Sequence, residues 1–382
     1  MADWSPQQEA ALDTVIDWFT AENGPQVFRL FGYAGTGKTT LAIEIAKRVR
    51  KLVRDAEGSA KDAVLFAAFT GKAALVMRSK GCIGASTIHS LIYILDETTA
   101  GVPRFILNPA SKLDDASLLV VDECSMVGAE LANDMLAFGK KILVLGDPAQ
   151  LPPVQDAGFF TNGRPDAMLT EVHRQAANNP IIRLSMDVRN GVSLPYGDFG
   201  ACRIVPWAKD SITPQEILGA DQLLVGRNIT RERMNDRYRA ITNCRSQNPT
   251  VGEKLVCLKN DKKKDLFNGG LWKVAKVRKA NGAAVRMVIE PDDAGEMSRA
   301  IEVKVRPEFF IGEDAVRALE WEQLKDTQQM TFGYALTVHK SQGSQWNNVV
   351  LFDESRTFRG DAHRWLYTGI TRAAEKLIVV KA

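Results

Sequence analysis

Apolar positions along the chain alternate between two periods. Leu12, Val15, Ile16 and Phe19 are spaced for one face of a helix. Ahead of them, Ser5 can cap, Pro6 suits the first helical position, and Gln8 sits where a capping box needs it. A short apolar strand is predicted at 26–31, then a glycine loop, then a helix at 41–52. Strands at 63–68, 118–121 and 141–145 and helices at 72–78 and 131–138 continue the alternation. The run 118–121 is apolar throughout, as in a strand buried on both faces. Strands alternating with helices predict an α/β fold with a parallel sheet covered on both sides.

The texture changes from 156 to 190, where Gly and Pro recur and a connection between domains is expected. A strand at 223–225, a helix at 231–241 and strands at 349–352 and 377–380 then predict a second alternating set. Inside it, short strands over about 251–305, such as 272–278 and 284–289, are split by Asn268-Gly269-Gly270 and Asn281-Gly282, which are hairpin signals. They predict a small β-barrel inserted over residues 250–310. In the first half, two β-prone runs flank Thr98-Thr99-Ala100-Gly101 and predict a hairpin over 92–109. The expected domains are 1–160 and 161–382.

Composition narrows this little. A chain of 382 residues has room for two or three domains at roughly 100–200 residues each. The net charge is only +3, but a basic groove is compatible with a near-neutral total, so nucleic acid is neither indicated nor excluded. The run Lys259 to Asp265 is basic and reads as a solvated loop. Five dispersed cysteines without C-x-x-C spacing argue against a disulfide framework and for a reducing, cytoplasmic setting, that of a host cell if the protein is viral. The four histidines are equally scattered, so no zinc site is expected. The first residues lack the pattern of a signal peptide, and no apolar stretch of about 18 residues is present to span a membrane.

The chemistry concentrates at strand ends. Gly32-Tyr33-Ala34-Gly35-Thr36-Gly37-Lys38-Thr39 is a complete G-x-x-x-x-G-K-[ST] loop between a strand and a helix. Glycines let backbone N–H groups approach phosphate oxygens, and the helix start adds favourable partial charge. Gly35, Thr36, Gly37, Lys38, Thr39 and Thr40 are therefore expected to hold the phosphates of ATP, with Thr39 also on Mg2+. Val120-Val121-Asp122-Glu123 is an apolar strand ending in two carboxylates. Asp122 is suited to hold Mg2+ and Glu123 to take a proton from attacking water, the alternative being two ordinary loop acids. A third strand ends in Gly146-Asp147-Pro148-Ala149-Gln150, which places Gln150 to sense the γ-phosphate, while Asp147 reads equally as a turn residue.

GYAGTGKTT, VVDECSMV, GDPAQLPPV, YALTVHKSQGSQW and LYTGITRA follow one another in the order found in superfamily 1 helicases. Together they most resemble the RecD/Dda branch of superfamily 1B, in its compact form, over nearly the whole chain from 8 to 373. The resemblance implies two RecA-like P-loop domains, an SH3-like barrel in the second, and ATP-driven movement on single-stranded DNA, 5′ to 3′, with separation of forked duplex. It implies that Gln8 reads the adenine edge, which competes with its capping role. Arg174 and Arg372 would reach the γ-phosphate, as arginine does with its fixed fork of donors. The family generally has Glu where Gln345 stands, so the expected ribose contact keeps its reach but loses its charge.

The resemblance also marks a DNA track. Thr70, Lys72, Thr87 and His89 in the first half and Thr337, His339, Lys340 and Ser341 in the second match the family's strand-contacting motifs. Hydroxyls beside lysine suit contacts to phosphate that do not read sequence. His89 taken alone reads as a core histidine. Phe105, in the hairpin where the family carries its strand-separating pin, is a candidate to stack at the fork, or simply part of a surface hairpin. A monomer working with replication or recombination proteins is expected. A superfamily 1 RNA helicase, a translocase without strand separation, a small-molecule kinase and an ATP-gated clamp are the alternatives.

Overall fold

The computed structural model describes residues 4–58, 63–96, 104–152, 158–172, 179–208, 210–261, 264, 266, 268–278, 284–292 and 300–381, without the side chains of Lys72, Leu95, Asp96 and Arg104. The chain forms two compact units, Met1–Val192 and Ser193–Ala382. The expected boundary at 160/161 falls inside the first.

The first unit runs α1 (Pro6–Thr20), β1 (Val27–Gly32), α2 (Lys38–Glu57), β2 (Val64–Ala68), α3 (Gly71–Ser79), β3 (Ser86–Thr87), α4 (Ile88–Ile92), β4 (Tyr93–Asp96), β5 (Arg104–Leu107), β6 (Leu118–Asp122), α5 (Ala129–Leu136), β7 (Lys141–Gly146), β8 (Ala167–Leu169) and α6 (Pro180–Arg189). Its sheet has the order β3-β2-β6-β7-β1-β8, with every neighbouring pair parallel. The apolar run of β6 divides by parity: Leu118 and Val120 enter one core, Leu119 and Val121 the other. In β7, Leu143 and Leu145 separate from Ile142 and Val144 in the same way. Both faces are covered, so neither parity needs to be polar. The first core is closed by Leu12 and Val15 of α1 and by Leu41, Ile45 and Val49 of α2. Fully burying each such side chain stabilises by about 1.5–3 kcal/mol. The expected interdomain connection at 156–190 instead holds β8 and α6, and Leu30, Phe31 and Gly32 of β1 align with Ala167, Met168 and Leu169. A strand of three residues is too short to show a period.

The second unit runs β9 (Gly197–Phe199), β10 (Cys202–Pro206), α7 (Pro214–Leu218), β11 (Gln222–Val225), α8 (Asn228–Ile241), β12 (Lys254–Cys257), β13 (Leu271–Arg278), β14 (Val285–Pro291), β15 (Ile301–Val305), α9 (Glu313–Arg317), α10 (Trp321–Leu324), β16 (Met330–Phe332), β17 (Ala335–Thr337), β18 (Trp346–Asp353), α11 (Ala362–Ile370) and β19 (Ala373–Lys381). Its larger sheet is β17-β11-β18-β19-β10-β9, parallel except for the edge strand β9. Residues between β11 and β17 build a separate antiparallel sheet, β15-β14-β13-β12-β16. Its two edges meet at Gln328, whose N–H donates to Lys304 O at 2.7 Å while its Oε1 accepts from Lys304 N at 2.9 Å. The small sheet has its own core, with Met287, Ile289, Val303 and Met330 fully buried. The expected turn at Asn281-Gly282 lies outside the described residues.

Candidate functional site

In the first unit the sheet order sets β1, β7 and β6 side by side, so Gly32, Gly146 and Asp122 end neighbouring parallel strands. The loop after β1 needs its glycines for two reasons. Gly35 and Gly37 both have φ of 80°, in the left-handed region. A Cβ on Gly32 would lie 2.6 Å from Thr36 Oγ1 and 2.9 Å from Leu169 Cβ. Lys38 opens α2, and its Nζ donates to the carbonyls of Gly32 at 2.6 Å and Tyr33 at 3.0 Å. Thr39 donates its hydroxyl to Asp122 Oδ2 at 3.3 Å, joining the start of α2 to the tip of β6. Asp122 Oδ1 accepts the N–H of Glu123 at 2.8 Å, and Glu123 is held left-handed with φ of 54°. A non-glycine residue in that conformation costs roughly 1–2 kcal/mol. Gln150 is nearly buried after β7, and its N–H donates to Asp147 O at 3.2 Å. Asp147 Oδ1 accepts Ala149 N at 3.0 Å, which gives Asp147 its turn role.

Gln8 is only 2% exposed and makes both local and distant contacts. Its N–H donates to Ser5 Oγ at 3.3 Å and its Oε1 accepts Ser5 N at 3.1 Å, completing the capping box. Its Nε2 donates to Thr36 O at 3.1 Å, which ties α1 to the glycine loop. Thr36 is buried and its hydroxyl donates to Tyr33 O, whereas Thr40 is exposed on α2. Among residues not singled out from sequence, Gln7 accepts the N–H groups of Thr170 and Glu171 at 2.8 and 3.0 Å beyond β8. The Arg189 guanidinium lies 3.6 Å from the ring centroid of Tyr33. No sequence signal could join positions so far apart.

Thr70 caps α3 by accepting Ala73 N at 3.1 Å, and Thr87 caps α4 by accepting Ser90 N at 3.1 Å. Both hydroxyls thus stand at helix starts beside the ends of β2 and β3. Rings continue outward from them. Phe69 and His89 have centroids 6.1 Å apart, His89 and Tyr93 5.6 Å, and Tyr93 and Phe105 6.1 Å. Tyr93 also donates its hydroxyl to Asp134. The predicted hairpin is present as β4 paired antiparallel with β5, and Phe105 is half-exposed opposite Leu95. Its turn, 97–103, lies outside the described residues, as do His173, Arg174 and the side chain of Lys72.

In the second unit, Thr337, His339, Lys340 and Ser341 follow β17. Thr337 Oγ1 accepts Lys340 N at 3.3 Å, and the fully buried Ser341 donates its hydroxyl to Val338 O at 2.7 Å, so both shape the turn. Burial pushes the pKa of His339 down against the opposing pull of Asp361, which leaves the ring neutral at pH 7. Burial, then the nearby positive charge of Arg231, lowers Lys340. Arg372 is 5% exposed: its Nε donates to Thr368 O at 3.1 Å and its Nη1 to Ser344 O at 3.1 Å. Trp346 pairs with Ala373, so the exposed Gln345 and Arg372 each lie one residue before that pair. A buried carboxylate missed from sequence, Glu354 beyond β18, accepts the N–H groups of Gly226 and Arg227 at 2.8 and 3.0 Å, and the Thr230 hydroxyl at 2.7 Å. Its position after an apolar strand is the same signal that revealed Asp122.

All five cysteines are free, and the described residues contain no group of three His, Cys, Asp or Glu that could hold a metal ion. No described helix is long and apolar enough to cross a membrane.

An AAA domain family model matches residues 4–196, and a UvrD-like helicase C-terminal domain model matches 332–380. The ATP-dependent RecD2 DNA helicase of Deinococcus radiodurans is 30% identical over 97% of this chain, which spans 48% of that protein. The ATP-dependent DNA helicase dda of Enterobacteria phage T4 is 31% identical over 42% of this chain and 37% of its own length. The chain thus spans about half or less of the length of these two relatives. Among solved structures, Pif1 helicase from Candida albicans matches with a TM-score of 0.54 at 19% identity, covering 100% of this chain and 94% of that one. Bacteroides Pif1 in complex with ADP-AlF3 and ssDNA matches with a TM-score of 0.55 at 18% identity, covering 99% and 92%. These likenesses establish a shared α/β fold. With a family model over half the chain, relatives named RecD2 and Dda, and the Pif1 fold, this chain belongs to the superfamily 1B helicases of the RecD/Dda/Pif1-like kind.

Proposed function

We propose that the chain is an ATP-dependent DNA helicase that translocates 5′ to 3′ on single-stranded DNA and separates forked duplex. The observation that carries this reading is the placing of Lys38 and Thr39 at the start of α2 beside Asp122 at the end of β6, with Thr39 Oγ1 and Asp122 Oδ2 3.3 Å apart. A hydroxyl and a carboxylate at that spacing fit Mg2+, which commonly takes one or two protein oxygens and leaves the rest to phosphate and water. Thr39 and Asp122 would hold it, and when bound it supplies positive charge at the phosphates.

The residues of the chain then divide the work. Gly35, Thr36, Gly37 and Thr40 line the phosphate loop, and Lys38 neutralises the β- and γ-phosphates. Gln8 and Gln345 recognise the adenine and the sugar. Glu123 takes a proton from the attacking water, and Gln150 orients it. Arg174 and Arg372 supply positive charge as the γ-phosphate departs. Each half is a RecA-like motor domain. Thr70, Lys72, Thr87 and His89 grip the strand from one half; Thr337, His339, Lys340 and Ser341 do so from the other. The neutral His339 contributes a hydrogen bond rather than charge. The β4–β5 hairpin is the separating pin, with Phe105 as its stacking residue, and the closed five-stranded sheet is an SH3-like barrel.

Two tests are decisive. Forked duplexes with a single 5′ or 3′ tail measure unwinding and its direction; opening of the 5′-tailed fork alone is expected. The Lys38→Ala chain should lose ATP turnover stimulated by single-stranded DNA, and turnover at the wild-type rate would remove the phosphate loop from the mechanism. Stimulation by single-stranded RNA alone would point to the RNA-helicase alternative.

A further inference from the structure

Among the described residues, Arg231 is a buried charge held only by long ion pairs. It lies in α8 and is 6% exposed, and its Nε is buried with no hydrogen-bond partner. The carboxylates nearest its Nη2, Glu232 and Glu313, stand at 3.5 and 3.6 Å. A charge-assisted hydrogen bond is shorter, roughly 2.7–2.9 Å. Arg239 on the same helix is buried to the same degree, at 7% exposed, yet meets Glu253 at 2.7 Å. A guanidinium taken from water without a tight counterion is costly, and native proteins rarely leave such a donor unsatisfied.

Arg231 and Lys340 both line a cavity of about 280 Å³ walled on its apolar side by Phe310 and Phe332. The two cations are close enough that Arg231 lowers the Lys340 pKa after burial has done so. The acids of the lining, Glu232, Asp236 and Glu313, are placed differently, and Asp236 is exposed. The Glu313 and Glu232 side chains are 40% and 36% exposed, against 7% for Arg231, so water screens the carboxylates more than the cation they flank.

We infer that this cavity is a phosphate-binding site, in which Arg231 and Lys340 together hold one tetrahedral phosphate group. A phosphate offers enough acceptor oxygens to satisfy the orphaned Nε, the remaining guanidinium donors and the lysine at once. The phosphate comes from the backbone of the bound single strand or from free phosphate. The first source rests on the proposed motor function, since Lys340 belongs to the strand-contacting segment; the pocket itself does not.

The full chain and its Arg231→Gln and Glu313→Gln variants are titrated with labelled oligothymidylate across a salt series. Retention of inorganic phosphate is measured separately by equilibrium dialysis in a Lys38→Ala background, which takes the glycine loop out of the signal. If the strand is the source, Arg231→Gln weakens oligothymidylate binding about tenfold and reduces the salt slope by about 0.7. If free phosphate is the source, Arg231→Gln abolishes phosphate retention and leaves strand binding intact. Glu313→Gln removes a competing carboxylate at an exposed position and should tighten whichever ligand binds by about twofold to threefold; it also decides the matter should Arg231→Gln fail to fold. Unchanged strand and phosphate binding in folded Arg231→Gln, or unchanged or weaker binding in Glu313→Gln, overturns the inference. A wild-type chain that binds no oligothymidylate defeats the motor reading, and phosphate dialysis still decides the pocket.

Discussion

Glu123 occupies a left-handed backbone position that a side-chain-bearing residue adopts at a cost, with φ of 54°. The strain is held in place by Asp122, whose carboxylate accepts the Glu123 N–H at 2.8 Å while also meeting Thr39. If Glu123 is the proton acceptor, as proposed, its role should be separable from nucleotide binding. Glu123→Gln is expected to bind ATP with wild-type affinity, keep its melting temperature, and lose at least about 100-fold in DNA-stimulated turnover; equal turnover would assign the proton transfer elsewhere. A second residue-scale prediction concerns packing beneath the site. A Cβ on Gly146 would meet Cys124 Sγ at 2.7 Å and Phe31 Cε1 at 3.2 Å. Gly146→Ala should therefore cost about 1–3 kcal/mol in denaturant unfolding. Adding Cys124→Ala should recover part of that loss, giving a coupling of about 0.5 kcal/mol or more in a double-mutant cycle. Lys38, Thr39, Asp122 and Glu123 were legible in the sequence because each belongs to a short contiguous string. The Cys124–Gly146 contact was not, because it joins the turn after β6 to the end of β7, which only the sheet brings together.

At the scale of elements, α8 shows how a helix start can be fastened by a distant side chain. Glu354 receives the N–H groups of Gly226 and Arg227, the Thr230 hydroxyl and the Arg227 guanidinium at 2.9 Å. Burial alone would raise its pKa, but these hydrogen bonds outweigh burial and hold the carboxyl below the ordinary value of 4.5. The pKa is thus lower in the folded state than in the unfolded one. The associated stability is present above pH 4.5 and is lost as pH falls through the folded value. Glu354→Gln should lower unfolding free energy by about 1.5–3 kcal/mol at neutral pH. The difference from wild type should shrink on acidification below that range, and a pH-independent difference would show that the carboxylate charge is not responsible. The long periodic helices α1, α2 and α8 were visible in the pattern of apolar positions. β8, β16 and β17 were not, since three residues carry no measurable period, and β8 in particular is stabilised by lying against β1.

At the scale of the whole molecule, two α/β units each have their own sheet and core, and the second also carries a five-stranded antiparallel sheet. If hydrolysis draws on both, Arg372→Ala should leave ATP affinity within about threefold of wild type. It should also lower DNA-stimulated turnover by about 1,000-fold or more. Arg372 is buried against Thr368 and Ser344, so melting temperatures must accompany the kinetics. A folded variant that turns over normally would remove this arginine from the site. By itself the amino-acid order determined the alternation of strands and helices, the phosphate loop, the acid pair and the family, because these depend on neighbours within a few residues and on period. Tertiary structure decided which strand ends adjoin, that Gln8 both caps its helix and ties down the glycine loop, that β8 belongs to the first sheet, and that Arg231 faces a cavity beside Lys340. Those outcomes rest on contacts between residues far apart in the chain, and neither local propensity nor spacing carries information about which distant groups will share the same volume.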